Sequence, residues 1–307
     1  MISYFGEERH ALKANLHTHT TNSDGRYSPD EIIGIYAGHG YDVLALTDHH
    51  TFTDPTQFDP KGMIMIPGAE IHPKVDFGHH SSARWHILAL NVNPEIKVNY
   101  LESDGTGQDV LDDLNAHGAI GFVAHPNWCG YNAKEVNSLT GYAGIEIYNT
   151  SCVYIGREDS TAVYNELIDN DVHTNVIAVD DTHSDSDLFG GWTTICAKER
   201  TLESVVEALR TGAYYASCGP EFSSVEFKDG VLRASFTPAV EVAIMIGPFF
   251  GIPIQIPGHD RNKPRKTIES FEYDLKSRKN ACFDGRCLRL YIRDEFGRTA
   301  WMSPIWV

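Results

Sequence analysis

Residues 16–31 read LHTHTTNSDGRYSPDE, and they complete the alternating apolar run LKANLH. Alternate residues of a strand point to one side. His17 and His19 are therefore aimed together from a strand end, with Asp24 just beyond. The segment SPDEIIGIYAGHG that follows reads as a helix. Ser28 is its N-cap, Pro29 takes the first position and Asp30 and Glu31 sit in the first turn. Gly38 and Gly40 stop it. Strand, polar turn and helix make the opening unit of an α/β protein with parallel strands.

The same alternation continues outward. DVLALTDHH, MIMIPGAE, WHILALNV, AIGFVAHP, GIEIYN, NVIAVDDTH and WTTICA read as strands. QDVLDDLNAHG, STAVYNELIDND and TLESVVEALRTG read as helices. Strands alternating with helices predict parallel strands covered by helices, and about seven strands suit a closed or nearly closed barrel better than an open sheet. After SCGPEF the texture changes. FSSVEFKDGVLRASF is two alternating runs around Asp229-Gly230, a hairpin signal. EVAIMIG, IESFEYDL and CLRLYIRDEFGRTAWMS continue as strands, the last with a turn near Phe296-Gly297. The expectation is an α/β part over residues 1–221 and a small antiparallel β domain over 222–307.

A chain of 307 residues accommodates one large domain and a smaller one. Hydrophobic content of 42% and charged content of 22% describe an ordinary soluble protein. The first residues, MISYFGEERHALKANL, lack an apolar signal core, and no run is long enough to span a bilayer. The expectation is a cytoplasmic protein without a membrane partner, its six cysteines reduced. No C-x-x-C occurs, and Cys282 and Cys287 are spaced too loosely to signal zinc.

The net charge of −17 divides unevenly. Residues 222–307 hold 13 Lys and Arg against 10 Asp and Glu, whereas residues 1–221 hold 12 against 32. An acidic body argues against a track for long nucleic acid, and it suits a cluster of bound cations. The basic loop GHDRNKPRK reads as a solvated connection. Of the 15 histidines, 14 lie at or before His183, so the chemistry belongs to the first part.

Position matters more than number. His17 and His19 follow the first strand, and Asp48 and His49 follow VLALT. Glu70 follows MIMIPGA, His125 follows AIGFVA, and Asp181 and His183 follow NVIAV. In parallel α/β proteins the C-terminal strand ends converge on the active face. Imidazole nitrogens and carboxylate oxygens are the natural ligands of zinc, manganese and iron. Each residue alone has a plain structural reading: a hydrogen-bonded strand-end histidine, or a turn-capping Asp48. Together they would bring charged groups into one place without compensation, which is costly. A metal site is the reading that removes the cost.

NLHTHTTNSDGRYSPDE, LALTDHH, PGAEIH, WHILAL, AHPNW, GIEIYN and VDDTHS occur in the order expected of the PHP (polymerase and histidinol phosphatase) family. With ALRTGAYYASCGPE the resemblance covers roughly residues 10–221. It implies a distorted (β/α)7 barrel holding three divalent metals, zinc, manganese or iron. It further implies a first metal on His17, His19, Glu70 and Asp181. A second would be bridged by Glu70 and held by His86 and His125, and a third would be held by Asp24, His49 and His183. His86 opens its run, so only an antiparallel pairing with MIMIPGAE would return it to Glu70. His72, His79 and His80 are rivals for its place.

The implied activity is hydrolysis of a small phosphorylated metabolite or nucleotide by a metal-bound hydroxide. Glu70, Asp181 and His183 are the catalytic candidates. Arg157 and Arg84 are the candidates for phosphate contact, each with a surface ion pair as its plain alternative. His50, His72 and Ser184 adjoin the ligands. The alternatives are trimming of oligonucleotide ends and a non-catalytic, metal-stabilised binding protein. An amidohydrolase is disfavoured because the strands end without a bridging lysine.

Overall fold

The computed structural model describes residues 1–75, 84–99, 105–247, 250–256, 258, 265–277 and 287–306. His79, His80, Cys282 and most of the basic loop lie outside them.

Strands β1 (Ile2–Tyr4) and β2 (Glu7–Asn15) form an antiparallel pair. Helix α1 (Pro29–Gly38) follows, and its start was legible in the sequence. Ser28 and Glu31 form a reciprocal capping box, with Pro29 in the first turn. Strands β3 (Val43–Leu46) and β4 (Ile64–Ile71) extend β2 in parallel. Strand β5 (Ile87–Leu90) reverses, pairing antiparallel with β4. After α2 (Gly107–Ala116), β6 (Ile120–Val123) is antiparallel to β5 and so runs again with β4. Short helices α3 (Pro126–Cys129) and α4 (Ala133–Val136) lead to β7 (Gly144–Asn149). Helix α5 (Thr161–Asp169) precedes β8 (Asn175–Val179), which is parallel to β7.

Strand β9 (Trp192–Ala197) returns to the start and pairs antiparallel with β2. Helix α6 (Leu202–Thr211) and β10 (Tyr214–Ser217), antiparallel to β9, complete this half. Six strands, β2, β3, β4, β6, β7 and β8, thus run one way, and their C-terminal ends share a rim.

The α/β class holds, whereas the closed barrel does not. Among the described residues no ladder joins β8 to β2 or β9, so the sheet is open there. Closure would need β8 to bond β2 along its length, but β9 occupies that edge of β2. The rim is bridged by a Thr18–Thr182 contact and the Asp181 N–H donated to the His17 carbonyl at 2.9 Å, and β9 meets the Ala178 backbone of β8 through the Thr193 side chain rather than through a ladder. Among the described residues the helices are also fewer than seven. Among the described residues only a single turn of 3₁₀ helix separates β3 from β4, and no helix separates β4 from β5.

Among the described residues the remainder is mostly strand, with one 3₁₀ turn at Leu275–Ser277: β11 (Phe222–Lys228), β12 (Val231–Ala239), β13 (Glu241–Ile246), β14 (Phe250–Gln255), β15 (Ile268–Asp274), β16 (Cys287–Arg293), β17 (Thr299–Met302) and β18 (Ile305–Trp306). These pair with one another antiparallel throughout. The β11–β12 turn has positive φ at both Asp229 and Gly230, 52° and 78°, the backbone that an Asp-Gly hairpin turn needs. This half is stitched to the first through β1–β11 and β10–β17. One apolar cluster runs from Leu12, Ile177 and Ile195 into Phe236, Ile244 and Ile292. No described helix is long and apolar enough to cross a membrane.

Candidate metal centre

Glu70, near the end of β4, is 1% exposed, and six imidazoles reach its carboxylate. His49 Nδ1 and His86 Nδ1 approach to 2.8 Å. His17 Nε2 and His125 Nε2 lie at 3.3 Å, His19 Nε2 and His72 Nε2 at 3.4 Å. The reversal of β5 is what delivers His86. With Glu70 opposite Leu88, His86 is carried to the rim at which β4 ends.

Asp181, past the end of β8, is the second focus. Its Oδ1 lies 3.0 Å from His19 Nε2 and 3.3 Å from His17 Nε2. Asp24 makes a third, 3.4 Å from His49 Nε2 and 3.5 Å from His183 Nε2. His183 turns its Nδ1 to the Asp181 carbonyl at 2.9 Å, which leaves the Nε2 lone pair facing Asp24. All nine residues named as ligands from the sequence therefore meet at one rim. The backbone there is bent sharply: His50, His125 and Asp181 have φ of 52°, 27° and 54°. Such conformations persist only where the surroundings hold them, and they gather at functional sites.

The donor set fits divalent ions. Asp181 Oδ1, His49 Nδ1 and His72 Nε2 are buried with no hydrogen bond to them, although other donor atoms crowd close. Bare lone pairs facing each other at such distances repel, so protons or cations belong among them. Charges respond accordingly. Burial opposes ionisation of His17, but Asp181, Glu146 and Glu70 around it hold its pKa well above the usual histidine value. Burial opposes the charge of His49 as well, but the Asp24 and Glu70 carboxylates beside it lift its pKa to about 10. Burial presses His86 down to about 3. Burial also works against Glu70 as an anion, yet His17, His72 and His86 hold it well below the carboxylate range.

The sequence reading overlooked several members. Glu146, on β7, is fully buried and accepts from His17 Nδ1 at 2.7 Å, the His125 N–H at 2.9 Å and Asn149 Nδ2 at 2.9 Å. It fixes the His17 tautomer, leaving Nε2 free to ligate. Its signal was present, a lone carboxylate in the apolar strand GIEIYN. Cys129 Sγ lies 3.4 Å from His125 Nδ1. Asp180 is a structural hub, accepting from Tyr36, Thr150 and the N–H groups of Phe189, Gly190 and Gly191. Asp48 is also structural, its oxygens taken by Thr20, Ser23 and Thr53.

A cavity of about 300 Å³ opens onto the cluster, lined by Asp24, Glu70, His86, Asp181 and His183 together with Trp128 and Tyr154. Neither Arg84 nor Arg157 is among its described lining residues. Arg157 donates to the Asn127 and Trp128 carbonyls beside it. The Arg84 carbonyl accepts from Tyr131 Oη, and its backbone bridges Lys74. Ser184 is committed to Ser186 and Asp187.

No family model and no curated protein matches the sequence. Solved structures do. A two-domain protein from Bacteroides vulgatus, described as containing a predicted PHP-like metal-dependent phosphoesterase, superposes with a TM-score of 0.56 at 16% identity, over 96% of this chain and 93% of that one. An amidohydrolase from Chromobacterium violaceum scores 0.43 at 15% identity, over 56% of this chain and 88% of the other. The lesion-specific endonuclease EndoQ from Pyrococcus furiosus scores 0.47 at 17% identity, over 66% and 56%. With nearly its whole length superposed on the Bacteroides protein, the chain shares the fold of a protein that contains a PHP-like domain.

Proposed function

We propose that the protein is a metal-dependent phosphoesterase acting on a small phosphorylated metabolite or nucleotide. The observation that carries this reading is the six-imidazole shell around the buried Glu70 carboxylate. Three ions, of zinc, manganese or iron, would be shared out as follows. His17, His19, Glu70 and Asp181 hold the first, and Glu70, His86 and His125 the second. Asp24, His49 and His183 hold the third. Support comes from donor atoms within 4.8 Å of one another in the groups His17-His19-Glu70, His86-His125-Cys129 and His19-Asp24-His49-His183.

Bound divalent ions would activate a water and neutralise phosphoryl charge. The chain's own part is placement. Glu70 and Asp181 set the spacing of the site, Glu146 orients His17, and His183 faces the cavity where a leaving oxygen would emerge. The phosphate is met by that charge rather than by an arginine inside the cavity. Arg157, which donates to the Asn127 and Trp128 carbonyls, and Arg84 would add a phosphate contact only from outside the described lining of the cavity. We assign this chemistry to residues 1–221, with 222–307 as a β domain packed against them.

The test is phosphate release by metal-reconstituted protein from phosphomonoesters, nucleoside bisphosphates and short oligonucleotides. Release from the small esters that falls at least about 10³-fold in Asp181→Asn supports the reading. Release from oligonucleotides alone would favour end-trimming. Silence with metal bound would favour a binding role.

A further inference from the structure

Beside the ligands the cavity has a wall that the chemistry of phosphate does not require. Trp128, in α3, stands edge-on to His86 and His125, with ring centroids 5.6 and 5.1 Å away. Its indole Nε1 reaches Tyr154 Oη at 3.5 Å. Tyr154 is 74% exposed, and its neighbours Val153 and Ile155 are 48% and 49% exposed. Three consecutive large apolar side chains in the open are costly to leave uncovered.

The segment is held firmly, and it is held to the ligands. Asn149 caps the short 3₁₀ helix Thr150–Ile155 by accepting from the Cys152 N–H. The same Asn149 donates to Glu146 and Asp181. Thr150 donates to Asp180, and the Ser151 N–H bonds the Asp180 carbonyl. The backbone that leads to Tyr154 is therefore anchored to the side of the cavity where Glu146 and Asp181 lie. Among the described residues lining the cavity there is no lysine or arginine to meet a second anionic group.

We infer that Trp128 and Tyr154 form a stacking platform, and that the substrate is a phosphate ester whose alcohol carries a neutral planar aromatic ring. The inference rests on the phosphoesterase reading and narrows it. Ring stacking on exposed aromatic side chains is favourable for any flat π-face. The cavity volume, at the lower end of the range for small-molecule pockets, suits one such ring with its phosphate.

Benzyl phosphate and cyclohexylmethyl phosphate test this, because both are primary alkyl esters of similar size and differ in aromaticity. The metal-loaded full chain is expected to favour benzyl phosphate in kcat/KM by about fivefold or more, chiefly through KM. Tyr154→Leu, with bound metal measured alongside, is expected to bring the ratio close to one. Trp128→Leu should do the same; the ratio cancels general damage to the neighbouring histidines. Equal use of the two esters by the native protein would overturn the inference alone, as would a preference that survives both substitutions. Hydrolysis of neither ester, alongside turnover of other members of the phosphomonoester and bisphosphate panel, would overturn the inference alone, whereas silence toward the whole panel with metal bound would overturn the phosphoesterase reading with it.

Discussion

Glu146 shows how much a single buried side chain decides. Its carboxylate bonds His17 Nδ1 at 2.7 Å and the backbone of His125, so it orients residues assigned to two different ions. Glu146→Gln keeps the shape and loses the charge that fixes the His17 tautomer. Affinity for metal should fall about 10- to 100-fold with the unfolding midpoint little changed, as measured by competition against a chromophoric chelator and by urea denaturation. Unaltered affinity would reduce Glu146 to a packing residue. Glu146 is also where the sequence could have been read further. A strand as apolar as GIEIYN does not carry a carboxylate without a partner. The partner, His17, is remote in sequence, and only the fold brings the two together.

At the scale of elements, the ends of the strands were legible and their directions were not. An apolar run announces burial equally for either direction, so the reversal of β5 followed only from where His86 had to go. The same silence hid β9, whose antiparallel pairing with β2 takes the edge that a closed barrel would have given to β8. Helix α1 was readable because capping is local: Ser28, Pro29 and Glu31 act within four residues of one another.

The loop between β2 and α1 is equally local in its demands. A Cβ on Gly25 would sit 2.3 Å from the His19 carbonyl oxygen and 2.6 Å from the Thr20 nitrogen. Gly25→Ala must push the loop away, taking Asp24 with it. The expected result is loss of the ion shared by Asp24, His49 and His183, with affinity there down by at least about 10-fold and the other ions retained. Metal titration followed by calorimetry would resolve this, and a variant that binds as the native protein does would contradict the assignment of Asp24.

On the scale of the whole molecule, the uneven charge acquires a place. Residues 1–221 carry 12 basic against 32 acidic side chains, and the histidine-rich rim lies in that half. Cations at the rim would offset part of this excess and place positive charge where a phosphate must approach. The β-rich half shares the apolar core and edge strands of the first, so the two are expected to unfold together.

The most direct measurement is the metal content per chain of protein reconstituted with zinc, manganese or iron and dialysed, determined by elemental analysis. The account predicts close to three ions on the native chain. It also predicts loss of at least one in Glu70→Gln, whose native carboxylate is assigned to two ions, and phosphate release falling in step. One ion or fewer on the native chain, or a full complement surviving Glu70→Gln, would contradict it.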